Sequence, residues 1–519
     1  MEIMTTRNMG AAGQFKAEGL IAIFLYRWGG YWRYLVKPGI YGIHYSSFVA
    51  WAVLVIGTLL ALIRPLIPYD SWWYHLPFSS YLFDIGGGPA SFRFDSLVTE
   101  RWLGFPKAWE WVGGFAWAVS GSLHAVIIPQ IILCFAYFYY LSRAMVVPIA
   151  WLILGFFASP MLLIHFEAIY GDLPAALCIA LGFFLLLEVA TYARIPDRPF
   201  PWIRAACAVV ALGLAGNIKY QAFLAGMCVT AIVAVLCLGA SGTPRRSRAF
   251  LLIVLMSANA LASTTILMNY VRYGNPFYPL SVSLFGRSLF TGPESPELGA
   301  TYPTYLLAGS HEVSFPEPVN FILSATELDW TMRGVAPWYN IDSVTGWTPR
   351  RGAPSRTGGW GGVLVLLSAS LLTLQACRLR RETDRHQRLL VIAALSLVVL
   401  TACMPRSHEL RYWLYLPLVV LPVTLRFLSR TRYREVVPGV LTALMAYGVI
   451  QAVLSPKSEL LTPHAVSMAT LRTAVPPAIA QVLRETGRYC DPANDGLFRY
   501  SQAVTGVHGL LSRDAKDCQ

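Results

Sequence analysis

Residues 172–192 read DLPAALCIALGFFLLLEVATY, a stretch with no charged side chain between Asp172 and Glu188, and Arg194 and Arg198 follow close behind it. A bilayer crossing needs about 20 predominantly apolar residues, so this run is long enough to span as a helix. Runs of the same kind recur at 46–66, 118–141, 145–164, 204–219, 221–239, 249–270, 360–377, 389–403, 412–428 and 435–454. Lipid cannot satisfy backbone N–H and C=O groups, which leaves helices or a closed barrel. A barrel requires alternating segments of about 10 residues, and these are absent. The expectation is an all-α, polytopic transmembrane bundle of about eleven spans.

Composition points the same way. Of 519 residues, 55% are hydrophobic and 13% charged, with a mean hydropathy of +0.51; ordinary soluble domains carry about 25% charged residues. The net charge of +13 raises nucleic acid as a partner in a soluble protein. Here the basic residues fall in short clusters between apolar runs, so membrane topology accounts for them and no nucleic acid is implied.

Those clusters also set orientation. Arg27, Arg33 and Lys37 precede the first run, and Arg143 follows the second. Arg194, Arg198 and Arg204 separate the fourth and fifth, and Arg245, Arg246 and Arg248 the sixth and seventh. Arg378, Arg380, Arg381, Arg385 and Arg388 follow the eighth, and Arg426, Arg430, Arg432 and Arg434 the tenth. With eleven spans every cluster lies on one side, which the positive-inside tendency makes the cytoplasm. Residues 1–45 are then a cytoplasmic segment, with an amphipathic interfacial helix over 20–34. Residues 46–454 form the transmembrane domain, with outer loops 67–117 and 271–359. Residues 455–519 form an extracytoplasmic segment with a helical stretch at 464–486. Most of the nine cysteines lie in apolar runs; Cys490 and Cys518 in the tail fit a disulfide if that tail meets an oxidising compartment.

Against this background, several ionisable groups stand at the outer boundary. Asp70 follows the first span in Pro68-Tyr69-Asp70-Ser71-Trp72-Trp73-Tyr74-His75-Leu76-Pro77. It reads either as a solvated carboxylate in an aromatic belt or as a base beside His75, oriented by Tyr74 four residues on. His165, Glu167 and Asp172 crowd the short turn between the third and fourth spans, a costly arrangement unless they face water or partners. Asp172 also suits a helix cap before Leu173-Pro174. Lys219, followed by Tyr220, either snorkels to the interface or pairs with a lipid phosphate. Arg406, His408, Glu409 and Arg411 form an outer island where the positive-inside tendency disfavours arginine, fitting an anionic headgroup or a structural ion pair. No zinc-cage spacing is present. A divalent metal remains open, because Asp70, Glu167, His165 and Asp172 offer oxygen and nitrogen ligands if their loops meet. Phosphate-binding glycine loops and serine nucleophile elbows are missing.

In their order along the chain, these motifs resemble the GT-C superfamily of polytopic glycosyltransferases. They are the acidic residue before Tyr74-His75-Leu76-Pro77, Asp172-Leu173-Pro174, Lys219-Tyr220, Gly274-Asn275-Pro276-Phe277-Tyr278-Pro279-Leu280, and Arg411-Tyr412 with Pro417 and Pro422. The likeness is greatest to the bacterial branch related to aminoarabinose and protein mannosyltransferases, and runs from about Phe48 to Leu428. It implies inverting transfer of a sugar from a polyprenyl-phosphate donor to a lipid, glycan or protein acceptor. The site would face the periplasm, in the inner membrane of a bacterial cell envelope. It further implies Asp70 as general base or acceptor orienter, Asp172 with Glu167 beside it as the second acidic position, and Lys219 and Arg411 on the donor phosphate. Arg406 and His408 join those cations by position, and Tyr74, His75, His165 and Tyr220 support the site. The tryptophan-rich first motif and the unmatched loop 271–359 depart from the family pattern.

Two other classes compete. A lipid-diphosphate-glycan ligase or polymerase needs an arginine-rich outer loop, and Arg272, Arg287, Arg333, Arg350, Arg351 and Arg356 supply arginines there. A transporter or flippase would show repeated halves and midplane charges, whereas the charges here gather at the outer boundary.

Overall fold

In the structure, a computed structural model, the residues described are 41–63, 71–85, 96–195, 199–238, 244–284, 287–294, 363–379, 384–404, 410–431 and 434–454, with a few single positions between them. Asp70, Arg406, His408 and Glu409 lie outside them, as do the amphipathic stretch 20–34, the tail from 455 with Cys490 and Cys518, and the later arginines of the second outer loop.

The first long helix is α1 (Tyr41–Ile63). A π-helical turn at Ser71–His75 leads into α2 (Leu76–Leu82), and then come α3 (Ser96–Gly104) and α4 (Ala108–Ser120). A 3₁₀ turn (Leu123–Ile127) opens α5 (Ile128–Met145), followed by α6 (Ile149–Phe157), α7 (Pro160–Glu167) and α8 (Asp172–Tyr192). Next are α9 (Trp202–Ile218), α10 (Tyr220–Leu238), α11 (Arg245–Ala262) and α12 (Thr264–Tyr273). An antiparallel ribbon of β1 (Val282–Leu284) and β2 (Arg287–Phe290) follows. The last helices are α13 (Val363–Cys377), α14 (Arg385–Ala402), α15 (Tyr415–Leu428) and α16 (Val437–Leu454).

The opening stretch of sequence forms α8, enclosed by neighbours that include α5, α9, α10 and α15. Its apolar character on every side suits a helix without a solvent or lipid face. Pro174 sits in the first turn, where its missing N–H removes no intrahelical bond. The outer helices are inverted relative to a soluble protein. Phe48, Val55, Ile56, Leu59 and Ile63 on α1 are all more than half exposed, as are Ile203, Val235, Met256 and Val271. Exposed apolar surface on this scale needs a lipid environment. Among the described residues four helices are long and apolar enough to cross a membrane, or six if each of two bent pairs counts as one span, beside five shorter apolar helices. The chain is a helical integral membrane protein.

Three expected spans are corrected. The span expected at 118–141 is present but shifted to Leu123–Met145, because α4 ends at Gly121, in the left-handed region that glycine tolerates. The run at 145–164 breaks into α6 and α7, bent by 94° where Ser159-Pro160 interrupts the ladder. The run at 249–270 bends by 50° between α11 and α12. The 21 residues of α8 extend about 30 Å, so the ends of the bundle are chemically distinct. At one end Arg194 donates to the Leu236 carbonyl, and Arg426 reaches the Met145 carbonyl at 2.8 Å and Asp384 at 3.2 Å. At the other end stand Asp172 and Lys219, with Tyr220 reaching the carbonyls of Gly104 and Tyr278.

Candidate active site

Asp172 is the first residue of α8, but it does not cap that helix. Gly171 is the cap residue and no side chain accepts there. Instead Asp172 Oδ1 accepts from Lys219 Nζ at 2.7 Å, with both side chains largely buried. Lys219 occupies the single extended residue between α9 and α10, a break that turns its side chain inward rather than along the interface. Asn217 fixes the break: its amide donates to the Gly213 and Leu261 carbonyls, and its oxygen accepts from the Thr265 hydroxyl.

Two cations share one aromatic ring beside this pair. Lys219 Nζ is 5.5 Å from the Tyr412 ring centroid and the Arg411 guanidinium 4.8 Å from it, while Arg411 also donates to the Tyr412 hydroxyl at 2.8 Å. Arg411 interacts electrostatically with both Asp172 and His165. Two cations gathered at one aromatic ring beside a buried carboxylate suit an anionic ligand. Asp172 Oδ2 has no hydrogen-bond partner among the described residues.

The α7 end is held from α5. The Gln130 amide donates to the carbonyls of His165 (2.7 Å), Phe166 (3.0 Å) and Ala168 (3.3 Å). These are helix-terminal acceptors that no following turn can satisfy. His165 Nδ1 meets the Met161 carbonyl at 2.8 Å. A carbonyl only accepts, so Nδ1 carries the hydrogen, and Nε2 is buried without a partner among the described residues. Glu167 is buried at the last residue of α7.

His75 pairs with Glu110 of α4, Nδ1 to Oε1 at 2.5 Å, both groups buried. The His75 ring lies near Tyr74 and Tyr170. Tyr74 packs on Phe78 and Phe105, with the Arg101 guanidinium 5.4 Å from its ring centroid. Tyr220 serves as a strut: its hydroxyl lies 2.6 Å from the Gly104 carbonyl and 2.7 Å from that of Tyr278, and Asn269 donates to it at 2.7 Å. Arg101 grips Glu294 with Nε and Nη2 at 2.5 and 3.0 Å, docking α3 on the segment that follows β2. Lys107 donates to the Phe105 carbonyl at 2.8 Å. Burial pushes its ammonium down to about 8, with Glu110 opposing and Arg272 adding to the shift.

Of the residues singled out from sequence, the structure gathers Asp172, Lys219, Arg411 and His165 at one end of the bundle. Tyr220 stands there as scaffold, and His75 beside Gly171. Glu110, Gln130, Asn217, Asn269, Lys107 and the ring of Tyr412 were missed. Glu110 carried one signal: it shares helical spacing with Gly113 and Gly114, which let another segment approach closely, and all three are buried. No cluster of three or more His, Cys, Asp or Glu suited to a metal exists among the described residues.

No protein-family model and no curated protein matches the chain. Among solved structures, ArnT from Cupriavidus metallidurans is similar, both bound to undecaprenyl phosphate and in the apo state. In each case identity is 14% and the TM-score 0.47, over 88% of this chain and 75% of that one.

Proposed function

We propose that the chain is a glycosyltransferase that moves a sugar from a polyprenyl-phosphate donor to an acceptor hydroxyl on the extracytoplasmic side, inverting the anomeric carbon. One observation carries the reading: the buried Asp172–Lys219 pair, with Arg411 across the Tyr412 ring, at the end of the bundle away from the arginine turns. The order of sequence motifs supports it independently.

In this reading Lys219 and Arg411 receive the donor phosphate and stabilise the charge that grows on it as the sugar leaves. By their position in sequence, Arg406 and His408 are assigned to the donor phosphate as well. Asp172 holds Lys219 in place, and Glu167, five residues before it in the chain, is the second acid of the sequence motif. Asp70 orients the acceptor hydroxyl or takes its proton as attack proceeds. No nucleotide is needed, because the phosphate ester bond of the donor supplies the leaving group. The arginine turns face the cytoplasm and the C-terminal segment lies outside, in the inner membrane of a bacterium.

The test uses purified full-length protein in liposomes with a panel of polyprenyl-phosphate sugars, following release of polyprenyl phosphate. Asp172→Asn and Lys219→Met should each lower kcat/KM by about 100-fold or more. Equal rates for the wild type and Asp70→Asn would remove Asp70 from the mechanism. Turnover of diphosphate-linked glycans alone would favour a ligase or polymerase. Passage of an unmodified lipid-linked solute would favour transport.

A further inference from the structure

Glu110 and His75 come from helices of the first outer loop and have no role in the scheme above, yet their burial is expensive. His75 is 5% exposed and Glu110 3%, and each keeps one polar atom, His75 Nε2 and Glu110 Oε2, without a hydrogen-bond partner among the described residues. Buried ionisable groups are tolerated when paired, and orphan atoms beside such a pair call for an explanation. The pair adjoins the Asp172–Lys219 site through Gly171. A Cβ placed on Gly171 would lie 3.8 Å from His75 Cε1 and 3.6 Å from Lys219 Cε. His75 Cε1, the carbon bonded to both ring nitrogens, therefore stands by the same glycine as the lysine stem, and Nδ1 is already taken by Glu110.

We infer that His75 is the proton acceptor of the transfer and that Glu110 is the positioning residue that sets its tautomer. This deepens the transferase reading and rests on it. A carboxylate opposite Nδ1 fixes the hydrogen on that nitrogen and leaves the Nε2 lone pair free. During transfer the acceptor oxygen bonds to the anomeric carbon, and the bond from that carbon to the phosphate oxygen breaks with its electron pair leaving on phosphate. The hydroxyl proton passes to His75 Nε2, and the resulting imidazolium is balanced by Glu110. Asp70 then keeps the orienting role. Tyr74 and Tyr170 border the ring and restrict its rotation, so the tautomer and the direction of Nε2 are set together.

The experiment combines kinetics with nitrogen-15 NMR of histidine-labelled, full-length protein in nanodiscs, the His75 signals being assigned by their loss in His75→Gln. The wild type should show His75 protonated at Nδ1 and bare at Nε2. Glu110→Ala should mix or reverse the tautomers, whereas Glu110→Gln, which retains an acceptor, should preserve them. With a polyprenyl-phosphate sugar that the wild type uses, His75→Gln should lower kcat about 100-fold with donor KM within about 3-fold. Glu110→Ala should lower kcat by at least about 10-fold, with Glu110→Asp recovering part of it. Protonation at Nε2 in the wild type, or kcat unchanged within about 3-fold in His75→Gln, overturns the assignment. If the wild type transfers from no polyprenyl-phosphate donor, the transferase reading fails and takes the role of His75 with it; the tautomer measurement still decides what Glu110 does.

Discussion

Lys219 and Asp172 are each other's compensation, and that makes their substitution effects unequal. Lys219→Met strips the partner from a carboxylate that is almost fully buried, and breaking a buried ion pair costs about 3–5 kcal/mol. Removing both charges costs far less, because no orphan ion remains. Thermal unfolding in detergent should therefore show Lys219→Met well below the wild type and the Asp172→Asn, Lys219→Met double variant partly restored. Transfer activity should be lost in both. Recovery of activity with stability would mean that the pair is structural only. The sequence marked both residues as exceptional in their setting, but it offered capping and snorkelling as alternatives. Local spacing cannot tell a carboxylate that caps its own helix from one that reaches a lysine on another.

At the scale of elements, the Asp172–Lys219 end of the bundle is made of broken helices whose free backbone groups are satisfied by neutral side chains. Gln130 holds three carbonyls at the end of α7, and Asn217 clamps α9 across the bend between α11 and α12. Replacing Gln130 with Leu should destabilise by about 1–3 kcal/mol, the usual penalty for stranded buried polar groups. Hydrogen exchange should rise around residues 165–172, and unchanged exchange there would show that other groups hold the break. Hydropathy reads 145–164 as an ordinary span because a bend costs no apolar residues. Ser159-Pro160 is the sequence feature at the break, and Gln130 is a polar residue within an apolar run.

For the whole molecule, the arginine end supplies a pH-dependent tie. Asp384 caps α14 and accepts from Arg426 and Arg430. Burial alone would raise its carboxyl, but the Arg430 hydrogen bond and the amides of Gln387 and His386 hold it down at about 2. Its contribution is complete above the unfolded value near 4 and fades as pH falls through about 2. Partial exposure limits it to about 1 kcal/mol. Acid unfolding of Asp384→Asn should lack that component below about pH 4; identical acid profiles would deny the tie. Orientation is checked separately, with single cysteines in a cysteine-free background. Ser283→Cys should react with an impermeant maleimide from the extracytoplasmic face and Ser247→Cys only from the cytoplasmic one. The reverse labelling would invert the topology.

Sequence by itself determined that the chain lies in a membrane as helices, that its arginine-rich turns gather at one end, and that Asp172 and Lys219 stand away from them. These follow from the length and polarity of local segments, because lipid penalises every unmet backbone group and every stray charge one residue at a time. Only the tertiary structure decided that Asp172 turns to Lys219, that Lys219 and Arg411 share the Tyr412 ring, that Tyr220 is a strut, and that Glu110 meets His75 across 35 positions. Those pairings depend on where helices bend and which faces meet. Such choices are made by close packing at Gly171 and its neighbours, and by side-chain amides on distant segments, neither of which leaves a period in the sequence.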